Sequence, residues 1–299
     1  MELHSVNIPT PRTTGDPPIL IMPIGDIQYA GKDSSTAMEM LKRHVAWGVE
    51  QNAYFLGMGD YIDFASPSNR LRLRQAALYD TALKTLSDVS VHLVTELYQE
   101  ALKGSEGRWL GLLEGHHFYQ MEDGTTTDQL LCRLLKTRFL GTSAYVRLVF
   151  HHGQTVKTQR HGNVLIWCHH GAGYGQRSSA PLNRLDQLLT YWDADIYLMG
   201  HQSKKVTAPI DRIEPAWSGP GGPRLVHRTK LLACTGSFSR AYLVGSTHGH
   251  VPRGDYVEQK MLSPTSLGGV VIRIAPRGVR GEQQAAGETM WLPDISAEV

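Results

Sequence analysis

Five apolar runs in this chain each break off in a knot of glycine, aspartate and histidine. They are "ILIMPIGDIQ" (19–28), "AYFLGMGDYID" (53–63), "RWLGLLEGHHF" (108–118), "VLIWCHHGAG" (164–173) and "DIYLMGHQSKK" (195–205). Short runs of aliphatic and aromatic residues bounded by glycine read as buried strands. Between them lie stretches with helical period. In "SSTAMEMLKRHVAWGVEQ" (34–51) Met38, Leu41 and Val45 share a face, and Thr36 and Glu39 have capping-box spacing. The stretch from Arg70 to Lys103 reads as mostly helical and closed by Gly104. "TTTDQLLCRLLKTRFL" (125–140) predicts another helix, and a further one falls near 180–192. Later, "KLLACTGSF" and "LGGVVIRIA" add strands around the loop "SGPGGP" (218–223). Strand alternating with helix predicts an α/β sheet covered by helices. In such sheets the carboxyl ends of the strands face one crevice, so five polar knots remote in sequence are expected to meet there.

With 299 residues, 41% hydrophobic and 19% charged, the chain is long enough for one large domain with insertions. We divide it into an extended N-terminal arm (1–18), a main domain (19–275) with a helical insertion about 66–104, and a C-terminal tail (276–299). A formal charge of +2 does not announce a nucleic-acid coat or a membrane-surface protein. Cys132, Cys168 and Cys234 are odd in number and far apart, which argues against a disulfide framework and for a reduced compartment. The start "MELHSVNIPTPRTTGDPP" lacks the basic and apolar regions of a secretion signal, and no apolar run approaches a membrane span. A cytoplasmic protein without membrane partners is the expectation.

Taken singly, each polar knot has an ordinary explanation, since Gly-Asp is good turn chemistry. Their repetition at the same end of successive strands calls for a shared one. A pocket lined by carboxylates and imidazoles suits divalent metal ions, and two ions sharing a carboxylate suit phosphate-ester hydrolysis.

The ordered set resembles the calcineurin-like metallophosphoesterase superfamily. Its motifs run D-x-H, G-D-x-x-D, G-N-H-D/E, H-G and G-H-x-H, each after a strand, and the resemblance spans residues 19–240. It implies a four-layer α/β/β/α sandwich and a metal-dependent phosphoric ester hydrolase. On matching positions it implies Asp26 as a ligand of the first metal and Asp60 as the bridge between both. His170 and His201 would bind the second metal, His117 would help transfer a proton to the leaving oxygen, and Asp63 would orient its neighbours.

This chain departs from that pattern at four places. Gln28 replaces the histidine of D-x-H, His116 the asparagine of G-N-H, Phe118 the acid that follows, and Ser203 the second histidine of G-H-x-H. Imidazole is a competent ligand, so the second site keeps Asp60, His116, His170 and His201, a set open to Zn²⁺, Fe or Mn²⁺. The first site keeps Asp26 and Asp60, with oxygens from Gln28 and Ser203, and favours Mn²⁺ or Mg²⁺. One or two ions per chain are expected. Arg70, Arg72 and Arg74 follow the second motif, and Lys204 and Lys205 follow the fifth. They read either as solvated faces or, for Arg70, Arg72 and Lys204, as contacts to substrate phosphate. His151, His152, His248 and His250 lie outside the motif order and read as solvated or structural, although His248 or His250 could refill the place of Ser203. The expected function is a phosphodiesterase acting on nucleotides or nucleic acid through a metal-activated water. The alternative is a binding or scaffold module that keeps the fold without the chemistry, a reading that Gln28 and Ser203 favour.

Overall fold

The computed structural model describes residues 1–8, 17–32, 34–76, 79–152, 160–173, 175, 177, 179–217, 222–248, 250–264, 266–279 and 290–299. Two sheets organise it. The first has six strands in the order Met290–Glu298, Val271–Val279, Ile19–Ile24, Tyr54–Gly57, Trp109–Leu113 and Phe139–Gly141. The last four run parallel, and the first two add on antiparallel. The second has seven strands, ordered Glu2–Ile8, Ser143–His152, Arg160–His169, Ile196–Met199, Arg224–Ser237 and Gly268–Gly269, with Lys205–Ala216 also paired to Arg224–Ser237.

The apolar runs carry no polar alternation because both of their faces are covered, and the two-residue period sorts them between partners. Ile19 and Ile21 enter a core shared with the second sheet, whereas Leu20, Met22 and Ile24 enter one shared with helices. Ile196 and Leu198 likewise face the first sheet, while Tyr197 and Met199 pack on the other side with Leu185. Helices Met38–Glu50, Asp80–Leu97 and Thr127–Leu134 supply Leu41, Val45, Val94, Leu97 and Leu131 to the core outside the first sheet. Helix Ala180–Leu188 covers the second sheet through Leu185.

Several sequence expectations are corrected. The helix predicted over 34–51 begins at Met38, and Ala37 at its start makes no side-chain cap. Thr36 instead donates its hydroxyl to the carbonyls of Ile27 (3.0 Å) and Gln28 (3.2 Å), so it ties down a loop and not the helix. The capping box forms elsewhere, between Thr126 and Gln129. The helix predicted over 125–140 ends at Leu134, because Lys136 turns into the left-handed region (φ 53°) and sends Phe139–Gly141 to the sheet edge. The insertion is two helices, Pro67–Ala76 and Asp80–Leu97, the second finishing in a π-helical turn, Tyr98–Leu102.

Strands lie within both the arm and the tail. Glu2–Ile8 pairs in parallel with Ser143–His152, and Ile8 is buried. Residues 9–16 lie outside the described set. Met290–Glu298 pairs with Val271–Val279 and puts Ile295 into the core between the sheets. Each is an edge strand, and among the described side chains only Ile8 and Ile295 are buried in them, which leaves little periodic signal to read. All three cysteines are free and buried. No helix among the described residues is long and apolar enough to cross a membrane.

Candidate metal centre

The five polar knots sit at the carboxyl ends of strands from both sheets. Asp26 follows Ile19–Ile24, Asp60 follows Tyr54–Gly57, and His116 and His117 follow Trp109–Leu113. From the second sheet, His170 follows Arg160–His169 and His201 follows Ile196–Met199. The first two loops continue the parallel ladder, with Asp26 N donating to Gly59 O (3.0 Å) and Gln28 N to Asp60 O (2.9 Å). Across the sheets, His201 N donates to Asp26 Oδ2 (2.8 Å). Asp26, Gln28, Asp60, His201 and Ser203 all have positive φ, between 48° and 64°. Non-glycine residues adopt that region at a cost, and such outliers gather where surrounding contacts fix a functional geometry.

Two donor groups result. His116, His170 and His201 form one, and Asp26, Asp60 and His170 the other, the ligand atoms of each lying within 4.8 Å of one another. Asp26, Asp60 and His170 are at most 2% exposed. Asp60 Oδ1 accepts from the backbone N–H groups of His116 and His117 (3.1 Å for the latter). Its other oxygen, Oδ2, faces His170 Nε2 at 3.3 Å, yet neither atom has a hydrogen-bond partner among the described residues. Buried polar atoms are seldom left so, and a cation between them would satisfy both. The Nδ1 of His170 lies 2.7 Å from Met58 O, which fixes a proton there and turns Nε2 towards Asp60 as the atom that would ligate an ion. His116 Nδ1 and His201 Nδ1 stand 3.2 Å apart. Two nitrogens bound to one tetrahedral Zn²⁺ would be about 3.3 Å apart. The residues present therefore fit a divalent ion.

The electrostatics point the same way. Burial, then the neighbouring His170, holds His201 down at about 4, and the same causes lower His116, so both rings offer lone pairs at neutral pH. Burial would lower His170 too, but the Asp60 and Asp26 carboxylates outweigh it and raise it to about 9, so an ion bound at Nε2 would take the place of a proton. Burial, with the Asp60 charge, pushes Asp26 up to about 7. Asp60 stays below the usual carboxylate range because the His170 side chain overcomes the opposing effect of burial. Two buried carboxylates thus demand positive charge.

His117 lies beside this centre. Its Nδ1 is 2.7 Å from Asp63 Oδ1, and its Nε2 is 3.9 Å from Asp60 Oδ2. His169 stays outside both groups, since its Nδ1 accepts from Gly171 N (2.7 Å) and its ring stacks on Trp167. Gln28 and Ser203 have half-buried side chains on the loops that carry Asp26 and His201. Arg70 Nη2 donates to His116 O (2.6 Å), and Lys204 Nζ donates to the carbonyls of Gly175 (2.7 Å) and Arg177 (2.8 Å). Arg72 is exposed, as is His250, while the side chains of Arg74, His151, His152 and His248 lie outside the described set.

One residue escaped the sequence reading. Asp128, buried at the start of helix Thr127–Leu134, accepts from Gly115 N (2.9 Å) and so anchors the loop that bears His116 and His117. Burial pushes its carboxyl up to about 7. An acid in the first turn of a helix has an ordinary reason to be there, so no signal marked it.

No protein-family model and no curated protein matches the chain. Among solved structures, the Zn²⁺ complex of wild-type Vps29 from Entamoeba histolytica aligns over 93% of this chain and 99% of its own, at 14% identity and a TM-score of 0.33. A single mutant of Vps29 from the same organism aligns over 94% of this chain and 100% of its own, at 15% identity and a TM-score of 0.31. At these scores the likeness carries no weight, and the functional reading rests on the site itself.

Proposed function

We propose that this chain is a metal-dependent phosphoesterase, built as the helix–sheet–sheet–helix sandwich of the calcineurin-like metallophosphoesterases and acting on phosphodiesters of nucleotides or nucleic acid. The observation that carries this reading is the pair of donor groups sharing His170, closed around two buried atoms without hydrogen-bond partners among the described residues. Asp60, His116, His170 and His201 would hold the second ion, a set open to Zn²⁺, Fe or Mn²⁺. Asp26, Asp60 and the Gln28 and Ser203 oxygens would hold the first, which suits Mn²⁺ or Mg²⁺. When bound, such ions activate water as a nucleophile and neutralise charge on phosphoryl oxygens.

The chain's own groups do the rest. Asp63 accepts the Nδ1 proton of His117 and thereby aims Nε2 towards the centre. From there His117 delivers a proton to the departing oxygen. The loop N–H groups that bind Asp60 Oδ1 hold its carboxylate in one orientation, so that group does not reorganise during reaction. Exposed Arg72 supplies a cation for the phosphate backbone of the substrate.

Metal analysis of the purified protein, paired with hydrolysis of an aryl phosphodiester in Mn²⁺, is the test. Metal uptake with turnover supports the enzyme. Uptake without turnover on mono- or diesters would favour the scaffold reading. His117→Ala is expected to cut turnover ~10²–10⁴-fold with metal content retained, whereas His116→Ala loses metal first. Equal metal loss in the two variants would show that the ligand has been assigned to the wrong neighbour. For the first site, calorimetry of Gln28→His with Ser203→His should show tighter Zn²⁺ binding than in the parent. An unchanged affinity and site count would remove both positions from the centre.

A further inference from the structure

We propose that Arg70 is a positioning residue of this centre: it holds His116 in place through the backbone and the Phe118 ring, and makes no contact with substrate. The inference rests on His116 being a ligand. Helix Pro67–Ala76 begins shortly after the Asp60–Asp63 loop, and Arg70 reaches back from its first turn. Its Nη2 donates to His116 O (2.6 Å) and, more loosely, to Ala65 O (3.4 Å). Its guanidinium carbon lies 3.7 Å from the centroid of the Phe118 ring.

The segment 116–118 is therefore gripped from both sides. Asp60 Oδ1 takes the His116 and His117 N–H groups, and Arg70 takes the His116 carbonyl. Phe64 N donates to the next carbonyl, that of His117 (3.1 Å). Only a planar guanidinium can lie on a ring face and donate in its own plane at once, which an ammonium cannot do. Phe118 stands where the motif pattern has an acid, so this chain holds its arginine by a ring face. A side chain fixed in that way orients the ligand next to it and leaves substrate phosphate to other cations. The helical insertion, which the sequence marks only as an addition to the core, thus becomes a brace for a ligand.

The test is Co²⁺ titration of the full chain, followed by its visible absorption spectrum, together with KM and kcat on an aryl phosphodiester at saturating Mn²⁺. Arg70→Lys keeps the charge but not the fork, and should weaken Co²⁺ binding ~10–100-fold, the range typical of groups that orient metal ligands. The Co²⁺ spectrum should change and KM should stay within about twofold, judged against the same range. Phe118→Leu should weaken binding in the same direction, and Phe118→Tyr, which keeps the ring face, should restore it. A substrate contact predicts the opposite split: Co²⁺ affinity and spectrum of Arg70→Lys as in the parent, with KM raised tenfold or more. That result overturns the proposal. Failure of the parent protein itself to bind Co²⁺ would instead overturn the metal-centre reading beneath it.

Discussion

Asp60→Asn is expected to abolish metal-dependent hydrolysis, with a loss on the order of 10³-fold or more, while the protein stays folded. The substitution keeps the side chain's shape. Its carbonyl oxygen can still accept from the His116 and His117 N–H groups as Oδ1 does. What changes is the other atom. Oδ2 faces His170 Nε2 across 3.3 Å with no hydrogen-bond partner among the described residues, and in the variant an NH₂ donor stands there. A donor repels a cation where an acceptor binds it. The variant also removes the charge that, against burial, raises His170 to about 9, so that ring's affinity for positive charge falls as well. One donor group loses a carboxylate outright, and the other loses the charge beside His170, the ring the two groups share. Thermal melting checks the fold, metal analysis the site and turnover in Mn²⁺ the chemistry. Wild-type turnover in this variant is the result that would sink the assignment of Asp60.

Much of this was legible because burial and periodicity are local. The run at 19–24 lacks polar residues because a sheet covers one face and helices the other, and its carboxyl end is visible as the point where Gly25 and Asp26 appear. The order of the polar knots then carried the resemblance. What stayed hidden depends on contacts between segments remote in sequence. Thr36 sits at capping-box spacing from Glu39, yet its hydroxyl serves the carbonyls of Ile27 and Gln28, on a loop outside the helix. Arg70 reads in the sequence either as a solvated face or as a phosphate contact, and its hydrogen bond to the carbonyl of His116, 46 residues on, has no mark there (2.6 Å). The left-handed φ of Asp26, Asp60 and His201 has no sequence mark, since the contacts that accompany it come from other loops, His201 N–H on Asp26 Oδ2 and the His116 and His117 N–H groups on Asp60 Oδ1.

Gly115→Ala should be nearly as damaging as the loss of Asp60 itself, for steric reasons. A methyl group at this position would stand 2.0 Å from Asp60 N and 2.4 Å from Asp60 Oδ1. Neither neighbour can yield cheaply. Asp60 N belongs to a loop already stitched to the first strand's loop by the Gln28–Asp60 hydrogen bond, and Oδ1 is held by two N–H groups. On the other side, Gly115 N is tied to Asp128 Oδ2 at 2.9 Å, so the glycine itself cannot back away without stranding a buried carboxylate. The loops bearing Asp60 and His116 must therefore part by about 1 Å for a tolerable contact, a displacement comparable to those that overpack a core and cost ~1–3 kcal/mol or more. Moving Asp60 away from His116 also separates the two donor groups. The expected result is a lowered melting temperature together with loss of metal binding under conditions where the variant is still folded. Gly124→Ala is the control, because nothing lies within 4 Å of a methyl group there. It shares the chain segment but not the crowding, although its φ of 85° imposes a modest backbone cost of its own. If Gly115→Ala bound Mn²⁺ and melted like the parent, the close approach of these two loops, on which the geometry of the centre depends, would be wrong.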